Sequence, residues 1–230
     1  MDGINRDGYR SDPLKEIKVA KDMEKMPKDM EQEEMLKSIY SFGSEIPDEK
    51  FLEAALNFFS KIRNPSFSLE SILKEILEFV RSNSPFQECL IGLKDKDGLF
   101  RFKAMIGFTD EAAAEIRNIV FTQDDMKSIR SYHPINICKF SQFHLSERRP
   151  YAPGMEKAFN KPDLLKSTRA HPDDMIEGDF IEIDLRDKSR DIIGWMELSG
   201  TVDGKLPQRD TIMRIEFFAS CIIPIIVMKT

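Results

Sequence analysis

The sequence holds only three cysteines, Cys89, Cys138 and Cys221, far apart along the chain. With no CxxC pair among them, neither a structural zinc site nor a disulfide framework is indicated. Basic charge is also in short supply: 34 Lys and Arg stand against 40 Asp and Glu, for a net charge of −6. A nucleic-acid surface needs a basic face to displace counterions from phosphates, so that class of partner is excluded. Arg148-Arg149, the one adjacent arginine pair, reads as a solvated loop. The polar N-terminus lacks the apolar centre of a signal peptide. The longest apolar run, Phe217 to Met228, is broken by Ser220 and Pro224 and is too short to span a bilayer. A soluble, cytoplasmic chain with no membrane partner is expected. GxSxG, Walker and HExxH motifs are missing, so the chain is expected not to be an enzyme. No internal repeat or low-complexity tract occurs.

What is present is material for a core. The chain has 230 residues, 41% hydrophobic and 32% charged, enough for one ordinary domain plus an extension. Seventeen Phe against one Trp and four Tyr place the aromatic weight on rings whose tips need no hydrogen-bond partner, which favours interior use.

Residues 1–13 are polar and Gly-, Asn- and Asp-rich, and are expected to be a disordered tail. Residues 14–65 read as a helical extension. Pro27 splits its first half into two short helices with a ragged Met-rich stripe, either a partner-docking segment or a charged linker. Asp48 is a candidate N-cap for a helix whose face is Phe51, Leu52, Ala55, Leu56, Phe59 and Ile62. Ser68 caps a cleaner helix with Leu69, Ile72, Leu73, Ile76, Leu77 and Val80 on one side.

Past Pro85 the period changes from helical to alternating. Cys89, Ile91 and Leu93 point one way, Gly98 supplies a hairpin turn, and Phe100, Phe102, Ala104 and Ile106 share one face of the return strand. Thr109 caps a helix over 110–119, and a short helix follows around 124–129. Ile135 to Phe140 reads as a short strand. The segment 141–178 is irregular and holds four of the twelve prolines. A second hairpin pairs Asp179–Leu185 with Ile192–Leu198, and an amphipathic helix spans Arg209 to Val227. Hairpins imply antiparallel pairing, and without βαβ alternation the fold class is α+β, with helices on one face of the sheet.

From Gly178-Asp179-Phe180-Ile181-Glu182-Ile183-Asp184-Leu185, through Ile193-Gly194-Trp195-Met196-Glu197-Leu198-Ser199 and Asp203-Gly204-Lys205-Leu206-Pro207, to Arg214-Ile215-Glu216-Phe217-Phe218-Ala219, the chain resembles the C-terminal half of GAF domains. The Leu69–Val80 helix and the Cys89–Ile106 hairpin resemble the N-terminal half. Asp184-Leu185 stands where many members have Pro-Leu. The resemblance covers residues 66–230 and implies a PAS-like domain: a central antiparallel sheet of five to six strands flanked by helices. It also implies a small-molecule pocket under a lid formed by residues 134–178.

In that lid Cys138 and His144 are candidates for holding a haem or bilin, the thiol by attachment and the imidazole as ligand or hydrogen-bond partner. Bilin-binding members usually have Cys-His adjacent, which this chain lacks, so the cofactor stays unknown. Phe140, Phe143, Tyr151 and Trp195 are candidates for an apolar pocket wall, with core packing as the alternative. Phe159-Asn160-Lys161-Pro162-Asp163 shares residues, but not their order, with the Asn-Lys-Phe-Asp-Glu signature of cyclic-nucleotide-binding members. His133, His144 and His171 fit no closed zinc spacing, so no metal is assigned. The resemblance implies a sensory or regulatory module in which a small ligand shifts the terminal helices of a homodimer. The alternatives are a ligand-free scaffold docking a partner through residues 14–63, and a redox enzyme centred on Cys138.

Overall fold

A computed structural model describes residues 28–41, 49–64, 66–129, 133–148 and 154–230. The expected tail 1–13, the helix before Pro27, the Asp48 cap and Tyr151 lie outside the described residues.

Three helices open the described chain: α1 (Lys28–Ser41), α2 (Glu49–Ile62) and α3 (Leu69–Ser82). The Ser68 hydroxyl accepts from the Ser71 backbone N–H at 3.1 Å, satisfying one of the donors that a helix start leaves open. At the other end Asn83 closes the helix, its backbone N–H reaching the Phe79 and Val80 carbonyls. Burial on α2 differs from the expected face. Phe51, Ala55, Phe58 and Ile62 point inward while Leu52 and Leu56 are exposed. Phe58 pulls the helix round because its ring meets Phe218 at 4.9 Å and Phe79 at 5.4 Å, in an aromatic cluster completed by Phe79 stacked on Phe218 at 4.0 Å.

The sheet is a single antiparallel array of β1 (Phe86–Lys94), β2 (Phe100–Ile106), β3 (Val120–Phe121), β4 (Ile135–Asn136), β5 (Ser141–His144), β6 (Phe180–Arg186) and β7 (Ile192–Thr201). The strands lie in the order β3-β2-β1-β7-β6-β5-β4. Seven strands replace the five to six expected: β3 is a two-residue edge strand too short to show any period, and β5 opens the segment read as irregular. The expected Ile135–Phe140 strand stops at Asn136. Both Ile137 and Cys138 donate their N–H to the Ser141 carbonyl, closing a tight turn into β5.

Between β1 and β2 the register shifts at Ile91/Gly92, so Lys103 is an extra residue between the Ile91↔Ala104 and Gly92↔Phe102 pairs. The bulge divides the four residues expected on one face. Ala104 and Ile106 pack on the helix side, and Phe100 and Phe102 pack on the other.

The main core lies between one sheet face and α2, α3 and α6 (Arg209–Lys229), where Ile91, Leu93, Ile183, Met196 and Leu198 meet Ile72, Ile76, Ile215, Phe218 and Ile222. With 21 residues, α6 is long and apolar enough to cross a bilayer, contrary to the expectation from its longest apolar run; what places it here is the stripe packed on the sheet. Helices are not confined to one face. On the second face lies α4 (Asp110–Asn118), which Thr109 caps and which packs Ile116 against Leu90 and Ala158. After β3 comes α5 (Gln123–Ile129), whose Met126 joins Phe100 and Trp195 in a small cluster on that face.

Gly92 and Gly194 make the sheet possible where they sit. A Cβ on Gly92 would lie 2.2–2.5 Å from the Trp195 indole, and one on Gly194 would lie 2.2 Å from the Gly92 carbonyl. The only tryptophan therefore reports on this contact. Gly92→Ala is expected to cost about 1–3 kcal/mol in denaturant unfolding, the range for overpacking a filled site, and to shift Trp195 emission to the red. Unchanged stability with unchanged emission would show that the ring has room to move.

Candidate functional site

On the second face, the sheet, α4 and the irregular segment 155–178 line a half-open cavity of about 340 Å³. Its floor is the outward residues of the central strands: Glu88 and Leu90 from β1, Phe102 from β2, Glu197 and Ser199 from β7. Phe108, Ile116, Ile119 and Phe121 form one wall, Phe180 of β6 stands in another, and Met155, Phe159, Leu164 and Met175 roof it. The volume falls at the low end of the range of about 300–1,000 Å³ for small-molecule sites.

Polar ties hold the roof down. The Asn160 amide donates to Glu88 Oε1 at 2.7 Å and to the Gly107 carbonyl at 2.8 Å, while its oxygen accepts from the Thr109 backbone N–H at 2.8 Å. One side chain thus fastens the roof to β1 and to the start of α4. Deeper in, the Arg169 guanidinium bridges Asp179, at 2.7 and 3.0 Å, and Glu147, at 2.8 and 3.1 Å, and also donates to the Asp174 carbonyl. Asp179 in turn accepts from the backbone N–H groups of Ser146 and Ile176, so its carboxylate is well supplied with donors. Lys205 pairs with Asp173 and Asp174, and Met175 and Leu206 add backbone bonds across to the 203–206 loop.

The cavity's polar groups are mostly acidic. Glu88 Oε2 accepts from the Ser199 hydroxyl at 2.9 Å, and Glu197 Oε1 accepts from the Trp195 indole at 2.6 Å. Glu177 accepts from the Lys161 backbone N–H at 3.1 Å. Burial pushes the Glu177 carboxyl above its ordinary range and the charge of Glu88 adds to the shift, against the downward pull of the backbone N–H groups. Among the described lining residues Lys161 is the one basic side chain, and it is exposed.

Of the residues expected to line a pocket, the five that are described, Cys138, Phe140, Phe143, His144 and Trp195, do not line this one. Cys138 is half-buried against the helix-side core, and burial raises its thiol to about 11, which suppresses the thiolate that redox or nucleophilic chemistry needs. Phe143 is fully buried in the same core, and Phe140 is half-buried with its N–H donated to Glu216 of α6. His144 lies on the other face, its ring stacked on Phe180 at 4.4 Å, so it stands one layer behind the cavity and does not converge with Cys138. Trp195 fills a box made by Phe100, Phe102 and Phe121 beside the cavity. The expected lid over 134–178 is divided as well: its first part joins the sheet as β4 and β5, and 155–178 alone forms the roof. Sequence reasoning missed Glu88, Asn160 and Glu177 as site residues. For Asn160 and Glu177 the available signal was polar residues recurring in an irregular segment, and for Glu88 an acidic residue on a strand, without anything to say which of them faced a cavity.

No protein-family model and no curated protein matches the chain in sequence. Solved structures do match in fold. The GAF domain of a phosphoenolpyruvate-protein phosphotransferase from Acinetobacter aligns with a TM-score of 0.50 at 14% identity, over 79% of this chain and 95% of that one. A GAF domain/HD domain protein from Geobacter sulfurreducens aligns with a TM-score of 0.51 at 11% identity, over 70% and 93%. The photosensory core module of a Stigmatella aurantiaca phytochrome aligns with a TM-score of 0.50 at 14% identity, over 81% of this chain but 39% of that one.

The raised Glu177 carboxyl carries a stability consequence. A group whose folded pKa lies above its unfolded value costs the fold stability once pH rises through that folded pKa. Glu177→Gln keeps the acceptor and removes the charge, so its melting temperature is expected to exceed that of the parent at neutral pH. The difference is expected to shrink as pH falls below the ordinary glutamate range, where the parent is protonated too. A variant less stable than the parent at neutral pH would contradict the shift.

Proposed function

The chain has a GAF-like fold, and we propose that it works as a sensory or regulatory module that binds a small ligand in the second-face cavity and relays occupancy to its helices. The observation that carries this is the half-open cavity itself: apolar walls, a few convergent polar groups, and a roof tied to the sheet by side-chain bonds rather than by a strand. The route for the signal is short. Along β1 and β7 the cavity residues Glu88, Leu90, Glu197 and Ser199 alternate with Cys89, Ile91, Met196 and Leu198, which pack on the helix side. A shift of the strands on one face is therefore felt by α3 and α6 on the other. The fold neighbours include a photosensory module, which supports a sensory reading.

No catalytic role is part of this proposal, and a cytoplasmic location and a homodimer are. The scaffold alternative gains little, because Leu36 of α1 is buried and Glu33 pairs with Arg148 at 2.7 Å, so the described part of the extension is docked on the body.

Native mass spectrometry of protein purified from cells tests ligand binding. The expected result is a single extra small mass that is absent from Leu90→Trp, whose indole occupies the cavity; a bare chain, or an adduct that survives in Leu90→Trp, counts against the site. The dimer rests on α6, which leaves Phe217 54%, Val227 48% and Met228 75% exposed. Light scattering is expected to give twice the chain mass for the parent and the monomer mass for Phe217→Glu. A monomeric parent would end the dimer proposal.

A further inference from the structure

The polarity of the cavity narrows what can occupy it, granted that it is a ligand site as proposed above. A bound molecule meets two environments. One is apolar and aromatic, built from Leu90, Phe102, Ile116, Phe121 and Phe159. The other is the pair Glu88 and Glu177, brought together from β1 and from the end of the roof, Glu88 held by hydrogen bonds from Asn160 and Ser199 and Glu177 by one from the Lys161 backbone. Ionised carboxylates only accept hydrogen bonds, with about four lone-pair sites each, so the bonds already made by the protein leave capacity on both.

Positive charge on the protein does not balance them. Lys161, the one basic lining residue, pulls on Glu177 from an exposed position, and the buried Arg169 spends its guanidinium on Asp179 and Glu147. An anionic ligand would add a further negative group to this acidic lining and find no buried cation there to pair with. That is an unfavourable setting for a cyclic nucleotide's phosphate or the propionates of a tetrapyrrole.

We propose that the cavity takes an organic cation, a compact primary amine with a one-ring or two-ring apolar body, its ammonium between Glu88 and Glu177. An ammonium offers three donors and no acceptor, the complement of two carboxylates, while the ring system lies among the aromatic walls. Burial and the neighbouring charge already hold the Glu177 carboxyl high, and a bound cation relieves that cost. A glutamate that destabilises the empty domain is expected at a position kept for binding.

Isothermal titration calorimetry on the full chain near neutral pH tests this with three probes of matched shape: phenethylamine, phenylethanol and phenylpropionate. Phenethylamine is expected to bind about tenfold or more tightly than phenylethanol, the worth of one charge-assisted hydrogen bond, and phenylpropionate not to bind. Glu177→Gln, which should fold at least as well as the parent, is expected to lose that preference while keeping phenylethanol binding. Leu90→Trp is expected to lose both. If phenylethanol or phenylpropionate binds as well as the amine, the cation is overturned and the cavity remains a ligand site. Amine binding that Glu177→Gln or Leu90→Trp leaves intact places the amine elsewhere and also overturns the inference. If no probe binds, the amine class falls, and the cavity falls with it only where the purified protein also carries no small mass.

Discussion

The Arg169 guanidinium, buried between Asp179 and Glu147, is the contact on which the second face of this domain depends. It joins three places that no regular element connects: the turn after β5, the 169–174 loop and the residue that leads into β6. Removing one member of a buried pair leaves the other charged and unpaired, a loss on the order of 3–5 kcal/mol. Here the damage would spread further, because Asp179 also takes the backbone N–H groups of Ser146 and Ile176. Without that hub the roof keeps the Asn160 and Lys205 ties and the backbone bonds of Met175 and Leu206 to and from the 203–206 loop. A segment with almost no periodic structure of its own is thus given one shape by a charge placed in its middle.

The two faces divide the work. On the helix side apolar area does the stabilising, with each fully buried aliphatic or aromatic side chain worth about 1.5–3 kcal/mol relative to exposure. That side carries the large core cluster and the stacked phenylalanines. On the roof side the apolar clusters are small, and polar bonds close the space that apolar packing leaves open. A domain built this way tolerates a cavity: the helix side supplies stability, and the roof can be held by bonds that exchange with water when it moves.

How far the sequence revealed this depends on how local each cause is. The Ser68 and Thr109 caps, the α3 stripe, the Gly98 turn and the strand glycine Gly194 were all legible, because each is decided within a few residues. The single antiparallel sheet followed from two hairpins and the absence of crossover helices. The bulge at Lys103 was not legible, since Phe100, Phe102, Ala104 and Ile106 alternate perfectly in sequence and only pairing with β1 inserts the extra residue. Leu52 and Phe58 of α2 are both apolar, and which one faces inward is set by Phe218, 160 positions beyond Phe58. Cys138 and His144 drew attention as chemically distinctive residues in an irregular stretch. The turn at 138–140 and the strand that follows put them on opposite sides of the sheet. Asn160 and Glu177 carry no such distinction by type, and their roles exist only once the roof is folded over β1.

Glu216 gives the last link between the faces. From α6 its carboxylate accepts from the Phe140 N–H at 2.9 Å and from the Ser141 hydroxyl at 2.5 Å, fastening the terminal helix to the start of β5. The residue at the other end of β5 is His144, stacked on Phe180 in the cavity wall. A four-residue strand therefore has one end fixed to the helix layer and the other packed behind the cavity. Because buried polar contacts and close-packed rings adopt discrete arrangements instead of deforming smoothly, displacement of Phe180 has two outcomes: His144 stays stacked, or β5 moves and carries the Glu216 contact with it. Only the second involves α6, so β5, the strand beside the edge strand β4, joins the cavity wall to the helix layer.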